Sequence, residues 1–256
     1  MKLTDNQRAR AANAAFSRAS TYDPQFQFET MMGPNVLWLA EWASQAISMR
    51  PGMRVLDLGC GKAASSIFIA KEFGATVWAA DLWIPPTRNW ARIEAAGLAD
   101  RVFPIHAEAH ALPFAEGYFD AIVSFDAYQY FGTDDLYLGQ VARLLRPGGY
   151  LCVVSPGLTA ELSGGPPDHL RPYWDWQFGS FHTPEWWREH WAKTGLMEVV
   201  SADWLPDGWR HWADWSELCA EVGAGHDPAG GAKEAEMLRL DAGRTLGFAR
   251  LVAQAR

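Results

Sequence analysis

The sequence predicts an α/β fold: a mostly parallel sheet flanked by helices, with an antiparallel strand near the end. Three observations predict it. The apolar run Val55-Leu56-Asp57-Leu58 ends in the turn Gly59-Cys60-Gly61, and Lys62 to Ser66 then supply small residues able to start a helix. Between residues 50 and 156, short apolar runs alternate with helical segments, the pattern of parallel strands joined by crossover helices. The chain has 256 residues and is 49% hydrophobic, ample for a core, and no apolar run approaches a membrane span.

The elements follow in order. Residues 1–48 read as a helical cap, with a turn at Met32-Gly33-Pro34-Asn35 opening a helix that carries Leu37, Trp38, Leu39 and Trp42 at helical spacing. Ala75 to Ala80 reads as a second buried strand ending in Asp81, and Arg101 to His106 as a third. Phe119 to Asp126 reads as the fourth, and Leu144 to Leu151 as the turn into the fifth. Residues 157–256 begin with the loop Ser163-Gly164-Gly165-Pro166-Pro167 and become aromatic. Thr183 and Pro184 suit the cap and first position of a helix running to about Lys193, with Gly195 as its stop. On that helix Trp187 and Trp191 share a face that packs on the sheet, and Trp186 and His190 share another. Gly223 to Gly231 reads as a loop between two helices, and Thr245 to Ala253 as a closing strand. The whole is expected to form one domain.

The Gly-x-Gly turn lets backbone approach a ligand, because glycine has no Cβ and tolerates positive φ. A dinucleotide site needs a third glycine, and Ala64 occupies that position. Asp57 stands two residues ahead of the turn. A carboxylate aimed into the crevice would repel a pyrophosphate and suit an ammonium group, so an amino-acid-bearing nucleoside is expected. Asp81 lies 22 residues beyond Gly59, near the distance at which nucleotide-binding α/β units grip ribose hydroxyls.

The D-x-G-x-G turn formed by Asp57, Gly59 and Gly61 resembles the first motif of the class I S-adenosylmethionine-dependent methyltransferases, and the later segments follow in that family's order. The resemblance implies a Rossmann-like sheet, S-adenosylmethionine as cofactor and S-adenosylhomocysteine as product. It also implies cofactor contacts at Leu82 beside Asp81, and at Ser124 and Phe125 ending the fourth strand. Ala107-Glu108-Ala109-His110 resembles the third motif, in which an acidic residue and its small neighbour (here Glu108 and Ala109) meet the adenine amino group. Tyr22 resembles the aromatic that many small-molecule members fold over the cofactor from an N-terminal arm. Asp126 to Asp135, with Phe181 to Trp187, looks like a bacterial small-molecule subgroup.

Nine of the 14 tryptophans fall between Trp174 and Trp215. Aromatics in a Pro/Gly-bounded loop suit a lid, and the expected acceptor pocket comprises Tyr128, Tyr130, Tyr173, Trp174, Trp176, Phe178 and Trp186. Such a lid would favour a sulfonium by about 0.5–2 kcal/mol and exclude water. If the acceptor is a hydroxyl or an ammonium, a base must remove a proton. His182 is the first candidate, then His169, then Tyr128 and Tyr130, one of which is expected to face the pocket; Asp126 reads as a loop cap, and His106 and His110 as structural.

Net charge is −8 with no dense basic run, which disfavours nucleic acid as partner. Cys60, Cys152 and Cys219 form neither a metal-ligand pattern nor a disulfide framework, and Cys60 reads as a small residue in the turn. The N-terminal segment with Arg8, Arg10 and Arg18 reads as a surface helix and not a targeting peptide, so a cytoplasmic monomer or homodimer is expected. Methyl transfer to O, N or C of a small metabolite is the leading function. One alternative is attack of the cofactor's own amino-acid arm on its γ-carbon, releasing methylthioadenosine; another is non-catalytic cofactor binding.

Overall fold

The computed structural model describes residues 2–225 and 227–256. Seven strands form one sheet in the order β3-β2-β1-β4-β5-β7-β6. They are β1 (Arg54–Leu58), β2 (Thr76–Asp81), β3 (Val102–His106), β4 (Phe119–Phe125), β5 (Leu145–Leu158), β6 (Met197–Trp204) and β7 (Leu246–Ala255). The pairs β1–β2, β2–β3, β1–β4 and β4–β5 are parallel, and β7 runs antiparallel to both β5 and β6. The mostly parallel sheet with an antiparallel strand near its end is therefore as the sequence implies. Order reverses at β1, with β2 on one side and β4 on the other, and a crevice opens beyond the carboxyl ends of strands at such a point.

Alternation along the strands divides the core between the two sheet faces. Val55, Ala121, Val123 and Cys152 enter one buried cluster, with the N-terminal helices and the helix that follows β1. Leu56, Ile122, Leu151 and Val153 enter the other, with Trp187 and Trp191. The arm comprises α1 (Asp5–Ala11), α2 (Pro24–Thr30) and α3 (Val36–Ser44). Asn35 starts α3: its side-chain carbonyl accepts from the Leu37 and Trp38 amides at 3.1 and 3.4 Å. Helices α4 (Ala64–Phe73), α5 (Pro86–Ala95) and α6 (Tyr137–Ala142) follow β1, β2 and β4.

Helix α7 (Pro184–Ala192) begins where Thr183 accepts from the Trp186 amide at 3.0 Å. Helices α8 (Gly208–Val222) and α9 (Pro228–Asp241) pack together after β6. The expected loop over residues 223–231 is shorter than its glycines suggest. Asp227 accepts from the Gly230 amide at 3.0 Å with Pro228 at the first helical position, so Gly230 and Gly231 lie inside α9. Met1, in the expected surface helix, and His226, in that loop, lie outside the described residues. No helix among the described residues is long and apolar enough to cross a membrane.

Trp187 and Trp191 are fully buried between α7 and the sheet, as their shared face implies. Replacing Trp187 by alanine should cost about 3–5 kcal/mol in urea denaturation, because it empties a large packed volume.

Candidate functional site

The crevice is built on the turn after β1. Gly59 and Gly61 have φ of +76° and +53°. A Cβ at Gly59 would collide with Ala127, and one at Gly61 would lie 2.8 Å from Met32 Sδ. Glycine is required at both positions by backbone conformation and by space. Asp81 then holds the turn open: Oδ2 accepts from the Gly61 amide at 2.8 Å, and Oδ1 from the Trp83 and Ile84 amides at 2.8 Å.

Asp57 is fully buried behind the turn. Its Oδ2 accepts from the Ser65 and Ser66 hydroxyls, both at 2.6 Å, while Oδ1 has no partner among the described residues. Burial pushes this carboxyl up to about 6; the two hydroxyls oppose the shift and Asp81 adds to it. Cys60 is buried beside it, and burial pushes its thiol well above the ordinary range, so it is a poor nucleophile.

A cavity of about 360 Å³ opens from this turn. It is lined by Gly59, Gly61, Asp81, Leu82, Glu108 and Ala109, and by Phe125, Asp126, Ala127, Tyr130 and Phe131 from the end of β4 and the turn after it. Glu108 accepts from the His110 amide and ring at 2.9 and 2.8 Å, and the ring bond leads in holding its carboxyl below the usual range. The roof is the segment from Gln27 to Leu37, with Trp215 of α8. Lys62 Nζ donates to the carbonyls of Glu29 and Met31 at 3.0 and 2.9 Å. The Trp215 indole donates to the Gly33 carbonyl at 3.1 Å and stacks on Phe28. These bonds strap the arm across the cavity.

Of the residues expected at the cofactor, Gly59, Gly61, Asp81, Leu82, Glu108, Ala109 and Phe125 line the cavity. Asp57 and Ser124 stand behind the wall; the Ser124 hydroxyl donates to the Leu58 carbonyl at 2.7 Å. Asp57 thus does not point freely into the crevice, because α4 offers it two hydroxyls on the opposite side. Tyr22 is not on the wall: it packs against Phe68 and donates to Glu72 at 3.0 Å, fastening the arm to α4.

The expected acceptor pocket and bases are largely elsewhere. Only Tyr130 of that aromatic set lines the cavity. Tyr128 is fully buried among Phe131, Tyr137, Trp187 and Trp191, and burial holds its phenol far above the ordinary range. Trp186 is stacked between His182 and His190, at 3.6 and 4.6 Å between ring centroids. His182 pairs with Glu161 at 2.9 Å, and His169 with buried Asp241 at 2.9 Å. Trp174, Phe178 and Phe181 pack edge-on and stacked on one another, Tyr173 packs against the core, and Trp176 is 84% exposed. Apart from exposed Trp176, these aromatics pack on one another or on the core, and the arm provides the cover. Sequence reasoning missed Lys62, Met32, Gly33 and Trp215. The Gly33-Pro34 break and the lysine directly after Gly61 were the available signals.

A family model described as a methyltransferase domain matches residues 55–149. The chain is 32% identical over 120 residues to Methyltransferase GfsG of Streptomyces halstedii, covering 45% of this chain and 42% of that protein. It is 27% identical over 183 residues to the 2-methyl-6-phytyl-1,4-hydroquinone methyltransferase of Synechocystis, covering 69% of this chain and 57% of that protein. The chain thus spans about half the length of these curated relatives. Phosphoethanolamine N-methyltransferase 2 of Haemonchus contortus, solved with S-adenosylmethionine, superposes with a TM-score of 0.71 at 17% identity. That superposition covers 99% of this chain and 60% of that protein, and at this identity it speaks for the fold.

The Asp57 environment has a measurable signature. The folded protein keeps this proton between its ordinary 3.8 and about 6, where the unfolded chain releases it. Stability of the ligand-free protein should therefore fall by roughly 3 kcal/mol as pH rises through that window, and stay flat above it. Asp57→Asn should remove that component of the slope in denaturant titrations at successive pH values.

Proposed function

We propose that this chain, which belongs to the class I S-adenosylmethionine-dependent methyltransferases, moves a methyl group from S-adenosylmethionine to a small-molecule acceptor. The observation that carries the reading is the cavity wall, which Gly59, Gly61, Asp81 and Glu108 share with Tyr130, Phe131 and Trp215. When bound, the cofactor supplies a methyl group on a positively charged sulfur, which an acceptor lone pair displaces in line.

The residues present fit that cofactor. The glycines leave a cradle that side chains would fill. Asp81 Oδ2, which accepts from the Gly61 amide alone, still has capacity to accept from a ribose hydroxyl, since a carboxylate oxygen takes about two donors. Glu108 is an acceptor for an exocyclic amine. The unpartnered Asp57 Oδ1 supplies negative potential behind the turn for the amino-acid ammonium. The strapped arm and Trp215 exclude water from the reacting atoms, and positioning alone supplies up to roughly 7–11 kcal/mol of such a displacement. A thioether acceptor needs no proton transfer, whereas a hydroxyl, ammonium or C–H acceptor must lose a proton. The cyclising alternative is not favoured, since the relatives that match the core are named methyltransferases. Net charge of −8 supports a small molecule over a nucleic acid as acceptor.

Mass spectrometry of the protein with S-adenosylmethionine and a desalted bacterial metabolite extract tests the reading. Extract-dependent S-adenosylhomocysteine with a mass-plus-methyl product is expected; methylthioadenosine formed without extract would overturn it. Asp81→Asn should weaken S-adenosylhomocysteine binding about 10- to 100-fold by calorimetry, the range for losing a charged hydrogen-bond acceptor.

A further inference from the structure

We propose that the acceptor is an amine, that it docks as an ammonium ion on Asp126, and that Asp126 is the base that takes its proton. This rests on the methyl-transfer reading and gives that site its substrate class.

Geometry carries the assignment. Asp126 lines the same cavity as Asp81 and Glu108. It directly precedes Ala127, the residue pressed against the Gly59 turn. Its backbone has φ of +53°, in the left-handed region that aspartate tolerates better than most residues, and its amide is pinned to the Val154 carbonyl at 2.8 Å. That conformation aims the side chain under the roof. A Cβ on Gly33 would lie 2.7 Å from Asp126 Oδ2, so the roof is bare where the carboxylate needs room. Oδ1 accepts from the Gln129 amide at 3.1 Å, and Oδ2 has no hydrogen-bond partner among the described residues.

The surroundings select a cation. Glu234 of α9 acts on Asp126, and Asp175, ahead of the turn Trp176–Ser180, acts together with both carboxylates on neighbouring Tyr130. Among the described residues no lysine or arginine pairs with any of the three carboxylates. Burial leads in raising the Tyr130 phenol to about 12, and Asp126, Asp175 and Glu234 add to it, as expected in a negative field. Burial and Glu234 likewise lift Asp126 to about 7, which suits a base working near neutrality. Tyr130, Phe131 and Trp215 supply aromatic faces on the same walls, and such faces attract ammonium groups.

The proton step balances. One N–H bond of the ammonium breaks, its proton passes to Asp126 Oδ2, and the electron pair stays on nitrogen. That pair forms the new N–C bond while the C–S bond breaks with its electrons going to sulfur. The positive charge ends on the methylated nitrogen, and Asp126 returns its proton to solvent.

The test uses the full chain saturated with S-adenosylhomocysteine at about pH 8, where Asp126 is ionised. Calorimetry compares benzylammonium with its near-isosteres benzyl alcohol and benzoate, in the wild type and in Asp126→Asn. Asparagine adopts left-handed backbone readily, so the variant should fold and keep its S-adenosylhomocysteine affinity. Benzylammonium should bind the wild type at least about tenfold more tightly than benzyl alcohol, benzoate should not bind, and Asp126→Asn should erase the preference. Equal binding of benzylammonium and benzyl alcohol to the wild type would overturn the inference, as would a preference that survives in the variant. Methyl found on carbon or oxygen in the extract product would overturn it while leaving methyl transfer standing. Failure of the wild type to bind S-adenosylhomocysteine would instead sink both.

Discussion

The crevice depends on one carboxylate accepting three amides. Strands β1 and β2 lie side by side and end at the same level, and the turns that follow must separate without leaving backbone N–H groups stranded. Asp81 accepts from Gly61 in the first turn, and from Trp83 and Ile84 in the second. Charged hydrogen bonds of this kind contribute about 1.5–3 kcal/mol each, and a buried unsatisfied amide costs a comparable amount. The turns are therefore held apart by the same group that faces the cavity. With the β1 turn fixed, Gly59 can receive Ala127, the β4 end docks against it, and the rest of the cavity wall is formed.

The carboxylates around the site differ by burial more than by donors. Glu108 accepts from the His110 amide and ring and is half-exposed. Asp57 also accepts two hydrogen bonds, yet it is fully buried, and burial leads in moving it toward neutrality. Burial moves Asp126 the same way. Residues of closely similar chemistry thus acquire different charge behaviour from the depth at which the fold sets them.

Legibility followed the range of the interactions. The strands and the Gly-x-Gly turn were readable, because apolar runs and glycine conformation are local properties. The α7 start at Thr183-Pro184 was readable for the same reason. The roof was not. Gly33 and Pro34 read as a helix entrance, and nothing local says that Lys62 and Trp215 will bond to the carbonyls around them. The aromatic segment from Tyr173 to Trp186 misled for the opposite reason: its composition suits a ligand cage, but Trp174, Phe178 and Trp186 find partners in neighbouring rings, His182 and His190, and Trp176 turns to solvent. Asp126 read as a cap because its left-handed backbone, its facing glycine and Glu234 come together only in three dimensions.

The φ of +53° at Asp126 also limits what this position can become. Left-handed backbone is open to glycine, asparagine and aspartate, and it penalises branched and bulky side chains. Most replacements there strain the joint between β4 and the turn after it, and are removed on folding grounds before their chemistry is tried. One that passes is asparagine, a single base change away, with nearly the same shape and no charge. Random mutation at this position therefore tends to act as a charge toggle, leaving the scaffold in place while the electrostatics beneath Gly33 are switched on or off.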